Sequence, residues 1–174
     1  MKKIANNILE KITLLRDFFV PLTVYRYKLG HINRKFSGRT HVARYEVQQD
    51  VHVDIYWKAI PRWTGPSVSF YVYGAEVLRF DCFGQVNGHY HVDFHSPWAT
   101  QNNKLYFYER TPESQIERTL YELKTNLGFY LQRNPNRKVR NIEIDQEKLH
   151  GVCEKIRGSM YHLLDTVPEL QELK

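Results

Sequence analysis

The stretch Arg44–Lys58, RYEVQQDVHVDIYWK, decides the fold. Its odd positions are Tyr45, Val47, Gln49, Val51, Val53, Ile55 and Trp57, and its even positions are Arg44, Glu46, Gln48, Asp50, His52, Asp54, Tyr56 and Lys58. An apolar set faces a polar set with the exception of Gln49, the period of a strand covered on one face. Gln48-Gln49-Asp50 reads either as the turn of a hairpin or as the middle of one bent strand, because turn chemistry is weak there without glycine. Side-chain facing is the same in both cases.

Working outward, LTVYRYKL at 22–29 reads as a strand. Before it, Ile4, Ile8, Ile12, Leu15 and Phe19 recur at helical spacing, and Pro21 ends that helix. Downstream, IPRWTGPS at 60–67 reads as a loop, followed by strands at 68–73, 76–83, 89–95 and 104–108. Thr111 and Pro112 suit an N-cap and first helical position. The helix they open carries the stripe Ile116, Leu120, Leu123, Leu127 and Leu131, and Asn134-Pro135 stops it. Asp145 caps a last helix with the stripe Leu149, Val152, Ile156, Met160 and Leu163. Strands clustered mid-chain between helices predict an α+β fold, a single domain over 1–174. The expected architecture is an antiparallel sheet of about six strands, with the N-terminal and two C-terminal helices packed on one face and the other face open.

Composition narrows the function classes. The chain has 174 residues, 42% hydrophobic and 25% charged, which excludes a disordered polymer. No apolar run approaches the roughly 18 residues of a membrane span, and no membrane partner is expected. The basic opening MKKIANNILEKI lacks the apolar core of a signal peptide, being broken by Asn6, Asn7, Glu10 and Lys11. Cys82 and Cys153 are too few for a disulfide framework. A reduced, cytoplasmic protein is the economical expectation.

The net charge of +6 is localised. Arg26, Lys28, Arg34, Lys35, Arg39 and Arg44 fall in 26–44 with no acid among them, and Arg133, Arg137, Lys138 and Arg140 fall in 133–140. Segments of this kind attract a polyanion, or are solvated loops. Arg34, Lys35, Arg39, Arg44, Arg137, Lys138 and Arg140 are the candidate nucleic-acid contacts.

The run EVLRFDCFGQVNGHYHVDFH at 76–95 carries the candidate chemistry. Parity turns Tyr90, Val92 and Phe94 to the core and His89, His91, Asp93 and His95 to the other face. It likewise turns Leu78, Phe80 and Cys82 inward and Arg79 and Asp81 outward. A connection over 84–88 would set Asp81 opposite His91, Arg79 opposite Asp93, Val77 opposite His95 and Phe83 opposite His89. Asp81 should then favour the His91 imidazolium.

Three readings fit these residues. They form a solvated histidine-rich face, or a divalent-metal site with Asp81 or Asp93 as ligand or orienter, or a metal-free acid–base site. In the last, one histidine takes the proton of an RNA 2′-hydroxyl, another protonates the leaving oxygen, and Arg79 stabilises the phosphoryl charge. His89, His91, His95, Asp81 and Arg79 are the candidate catalytic residues, with no cofactor required. Tyr56, Tyr71, Tyr73, Tyr106 and Tyr108 could stack on unpaired bases. Cys82 and Cys153 read as packing residues, Trp57 as core, and Trp63 and Trp98 as loop residues.

Arg79-Phe80-Asp81, the histidines His89, His91 and His95, and a helix from Pro112 together resemble the TumE-like toxin family of prokaryotic toxin–antitoxin systems. The resemblance covers roughly a quarter of the chain. Cys82 stands where that family's asparagine would follow the aspartate. What the resemblance implies is a toxin-like or defence-associated role, with an antitoxin-like protein as partner. Together these features predict a nucleic-acid-directed protein, ribonuclease-like, with RNA favoured over DNA. The competing expectation is a non-enzymatic module that docks a protein or nucleic acid through the same face and basic loops.

Overall fold

The computed structural model describes residues 38–60, 63–92 and 104–167. The expected helix at 4–19 and strand at 22–29 lie outside them, as do Asp93, Phe94, His95 and Trp98. Six strands form one antiparallel sheet in chain order: β1 Arg39–Gln48, β2 Val51–Ile60, β3 Trp63–Val72, β4 Ala75–Asp81, β5 His89–His91 and β6 Lys104–Tyr106. Helices α1 Pro112–Tyr121, α2 Leu127–Gln132, α3 Arg137–Arg140 and α4 Gln146–Thr166 follow, with a π-helical segment, Glu122–Asn126, joining α1 to α2. The α+β class and the antiparallel sheet are as the sequence predicts.

The long alternating stretch is a hairpin. Gln48 pairs with Val51, so Gln49 and Asp50 alone make the turn, and Asp50 adopts φ 61°. Aspartate tolerates that left-handed conformation better than most residues, so no glycine is needed. At the next hairpin, Tyr73 and Gly74 both have positive φ (52° and 73°), as a two-residue primed turn requires.

The expected loop at 60–67 is instead the first half of β3. Pro66 sits opposite Trp57, and its carbonyl accepts the Cys82 N–H at 3.0 Å. A strand residue's N–H and C=O point to the same neighbour. The donor Pro66 lacks would therefore face the end of β4 and costs the pairing with β2 nothing. Gly65 permits a close approach, since a Cβ there would lie 2.6 Å from the Cys82 carbonyl oxygen. Trp63 consequently belongs to a strand rather than a loop.

One face of the sheet makes the core. Val47, Val51, Val53, Ile55, Trp57, Val68, Phe70, Val72, Leu78, Phe80 and Cys82 pack there against the predicted stripes of the C-terminal helices. Every stripe residue from Ile116 to Leu131 and from Leu149 to Leu163 is buried. Thr111 accepts the Ser114 N–H and Asp145 the Lys148 N–H, as the capping assignments require. Among the described residues, α4 lies along β1, β2 and β3, on the core side. No described helix is long and apolar enough to cross a membrane.

Candidate functional site

The second face carries His52, Asp54, Tyr56 and Lys58 from β2, with Ser67, Ser69 and Tyr71 from β3. Glu76, Arg79 and Asp81 come from β4, and His89 and His91 from β5. Parity places the histidines away from the helices, as expected. They are not a solvated face, however: His89 and His91 are 2% and 3% exposed and Asp81 is fully buried. Two features draw the side chains of this face together. Ser67 and Ser69 are small, so long side chains cross β3 to reach β4. The sheet also curls: Lys104 Nζ of β6 lies 5.1 Å from the Trp63 ring of β3, three strands away, a span of about 14 Å in a flat sheet.

The β4–β5 register differs from the expected one by two residues. Asp81 pairs with His89, Phe80 with Tyr90 and Arg79 with His91. The connection runs from Cys82 to Gly88 because the chain leaves the ladder early. Cys82 N–H turns back to Pro66, Gly84 donates to Gln115 Oε1 at 2.9 Å, and Gln85 N–H bonds the Arg110 carbonyl. Gly84 and Gln85 take positive φ (70° and 46°) to make the bend. An even slip preserves facing, so Asp81 still meets both histidines.

Asp81 is the hub. Its Oδ2 lies 2.8 Å from Lys58 Nζ, 3.4 Å from Arg79 Nε, 3.4 Å from His89 Nε2 and 3.3 Å from His91 Nε2. Its Oδ1 accepts from Ser67 Oγ at 2.8 Å. Glu76 forms a second node, accepting from Ser69 Oγ at 2.6 Å and lying 3.6 Å from both Arg39 and Arg79. Arg39 also covers the Tyr56 ring at 3.9 Å and donates to Tyr71 Oη at 3.3 Å. Three cations thus meet two carboxylates, leaving one net positive charge when the imidazoles are neutral.

Burial governs the protonation states. Burial alone would raise the Asp81 pKa, but Arg79, the His91 hydrogen bond, Lys58 and His89 outweigh it and hold the carboxyl well below its ordinary range. The expectation that Asp81 favours a charged His91 is corrected. Burial, aided by Arg79 and His89, pushes His91 down to about 4 against the pull of Asp81. Burial also lowers His89, with Lys104 and Lys58 assisting and Asp81 and the Asn87 carbonyl opposing. Lys58 is lowered by burial and by Arg79. His89 nevertheless has an acceptor at each ring nitrogen, the Asn87 carbonyl oxygen 2.7 Å from Nδ1 and Asp81 Oδ2 at Nε2.

Asp81, His89 and His91 offer ligand atoms within 4.8 Å of one another, a spacing a metal ion could use. Lys58 already holds the same Asp81 oxygen and Arg79 stands beside it, so charge opposes a dication there.

Of the described candidate nucleic-acid contacts, Arg39 alone joins this site. Arg34 and Lys35 lie outside the described residues. Arg39 points into the buried network, and Arg44 is clasped by Asp54 at 2.7 and 2.9 Å, although 56% exposed. Arg140 caps the Asn134 and Pro135 carbonyls at 2.7 and 2.8 Å. Arg137 and Lys138 are exposed, but Val139 between them and Arg140 joins the core on the helical side, away from the histidines. Of the expected stacking tyrosines, Tyr56 is buried and bonded to Ser69, Tyr71 stacks on His52, and Tyr73, Tyr106 and Tyr108 are exposed. Sequence reading passed over Lys58, Ser67 and Glu76. Lys58, Ser67 and Ser69 had a signal in their parity, whereas Glu76 has the parity of Leu78 and Phe80 and reaches this face only through the register shift between Phe70 and Tyr71.

Compared with known protein families, curated proteins and solved structures, the chain matches none.

Proposed function

We propose that the buried face is a metal-free acid–base site for a phosphodiester, and that the protein is a ribonuclease-like, nucleic-acid-directed protein. One observation carries the reading: a single carboxylate oxygen, Asp81 Oδ2, gathers Lys58, Arg79, His89 and His91 within 3.4 Å. Two imidazoles and two fixed cations around one anchoring carboxylate are the parts that in-line RNA cleavage uses. His91, neutral above about pH 4, takes the proton of the 2′-hydroxyl. The 2′-oxygen attacks phosphorus, the bond to the 5′-oxygen breaks, and His89, when protonated between its two acceptors, supplies the leaving oxygen's proton. Lys58 and Arg79 neutralise the phosphoryl oxygens, and Asp81 orients both rings. The single excess positive charge suits a group of one negative charge.

The toxin-like role, the antitoxin-like partner and the cytoplasmic setting belong to the same proposal. Two free, buried cysteines support a reducing compartment. The test is product analysis after incubating single-stranded RNA with the purified protein and a chelator. Expected are 2′,3′-cyclic phosphate ends from wild type, none from His91→Gln, and none at a 2′-deoxy linkage. Cleavage that persists in His91→Gln, or intact RNA with wild type, would overturn the proposal. Chelator-sensitive cleavage would favour a metal at Asp81, His89 and His91.

A further inference from the structure

We infer that the sheet edge beside His89 is a stacking subsite for an unpaired nucleobase, which makes single-stranded RNA the substrate class; the inference rests on the acid–base reading above. His89 is boxed by three aromatic rings drawn from distant parts of the chain. Trp63 of β3 and Phe83 after β4 meet it edge-on, at 6.0 and 5.8 Å between ring centroids, and Tyr106 of β6 lies at 5.8 Å. They can meet because β4 ends at Asp81 and β5 has three residues, so among the described residues no longer strand separates β3 from β6 at this end.

Charge accompanies the rings. Lys104 Nζ stands over Trp63 at 5.1 Å and Lys58 Nζ over Phe83 at 5.5 Å. Tyr106, by contrast, is 62% exposed. Core aromatics have no need of lysines, and a lone surface tyrosine has no need of a buried histidine at its inner edge. An exposed ring packed on the imidazole, with ammonium groups over the two aromatic rings on the other sides of that imidazole, fits a base and its flanking phosphates. A duplex keeps its bases paired and stacked and cannot present a free base face.

The assay is fluorescence anisotropy with a labelled 2′-O-methyl octanucleotide, which cannot be cleaved, and with the duplex of the same sequence. Wild type is expected to bind the single strand at least tenfold more tightly than the duplex. Tyr106→Ala and Trp63→Leu should each weaken single-strand binding by about 5- to 100-fold, as the loss of one stacked base implies. Tyr106→Phe should bind as wild type, since it keeps the ring. Equal binding of strand and duplex, or unchanged affinity in Tyr106→Ala, would overturn the inference. Tyr106 is exposed, so that variant tests stacking without a folding defect. Ring-dependent binding with no cleavage of unmodified RNA would sustain the subsite and overturn the acid–base reading. Cleavage with no dependence on Tyr106 would do the reverse.

Discussion

Lowering the pH from 7.5 to 5 should destabilise this protein before any carboxylate titrates, and His91 should account for much of the loss. Its folded pKa is pushed down to about 4, against 6.5 in the unfolded chain. Between those values the unfolded state binds the extra proton, so stability rises with pH there. The contribution is complete above about pH 6.5 and drains away as pH falls toward 4. At about 1.4 kcal/mol per pH unit, the whole difference is worth about 3 kcal/mol, of which about 2 kcal/mol is lost by pH 5. His89, also lowered, adds in the same direction. Asp81, held well below 3.8, stays ionised throughout this window and contributes no slope. Urea denaturation at pH 7.5, 6.5, 5.5 and 5.0 measures the effect, with His91→Gln as the comparison. Wild type should lose stability steadily below pH 6.5, and the variant should show a markedly shallower slope. A flat profile for wild type, or the same slope in His91→Gln, would refute the placement of a neutral imidazole in this network.

Asp81→Asn leaves Lys58 and Arg79 buried without their shared carboxylate and should cost about 3–5 kcal/mol in denaturation; adding Lys58→Met should recover part of that loss. Gly65→Ala forces a Cβ to within 2.6 Å of the Cys82 carbonyl, and a loss of about 1–3 kcal/mol is expected, with no loss at all contradicting the close approach. The Cys82 thiol is pushed up to about 12 and that of Cys153 to about 11, both by burial first. Neither should react with a thiol reagent at pH 8 until denaturant is added, and rapid native-state labelling would show the packing to be wrong.

The sequence discloses facing far better than it discloses depth. Alternation in 44–58 and 78–92 sorts the core from the polar face, because the strand period of two is a local property; at 76–77 a register shift against β3 reverses it, so Val77, expected opposite His95, joins the core and Glu76 the polar face. The alternation survived a two-residue error in the β4–β5 register for the same reason. The length of the 82–88 connection depends on Gln115, far along the chain, which holds Gly84 and which no local pattern announces. Pro66 and Gly65 read as breakers, yet the proline's missing donor falls where β4 ends and the glycine is needed for contact. Curvature has no period at all. A face that reads as solvated instead holds a buried charge network, drawn together where small serines let Lys58 reach Asp81. That burial reverses the expected sign at His91, where desolvation outweighs a carboxylate in direct contact. Candidate chemistry at Asp81, Arg79, His89 and His91 was legible as a group; Lys58, their closest ionic partner, became visible only across the strands.

The most direct test of a metal-free histidine pair is the rate of single-stranded RNA cleavage against pH in excess chelator. A base that is neutral above about pH 4 and an acid whose pKa lies below 6.5 should give a bell with its maximum on the acid side of 6.5. Asp81→Asn, in any preparation that folds, should move the alkaline limb to lower pH, since it removes the charge that supports a protonated His89. A rate that climbs steadily into alkaline pH, or one that the chelator abolishes, would contradict the account.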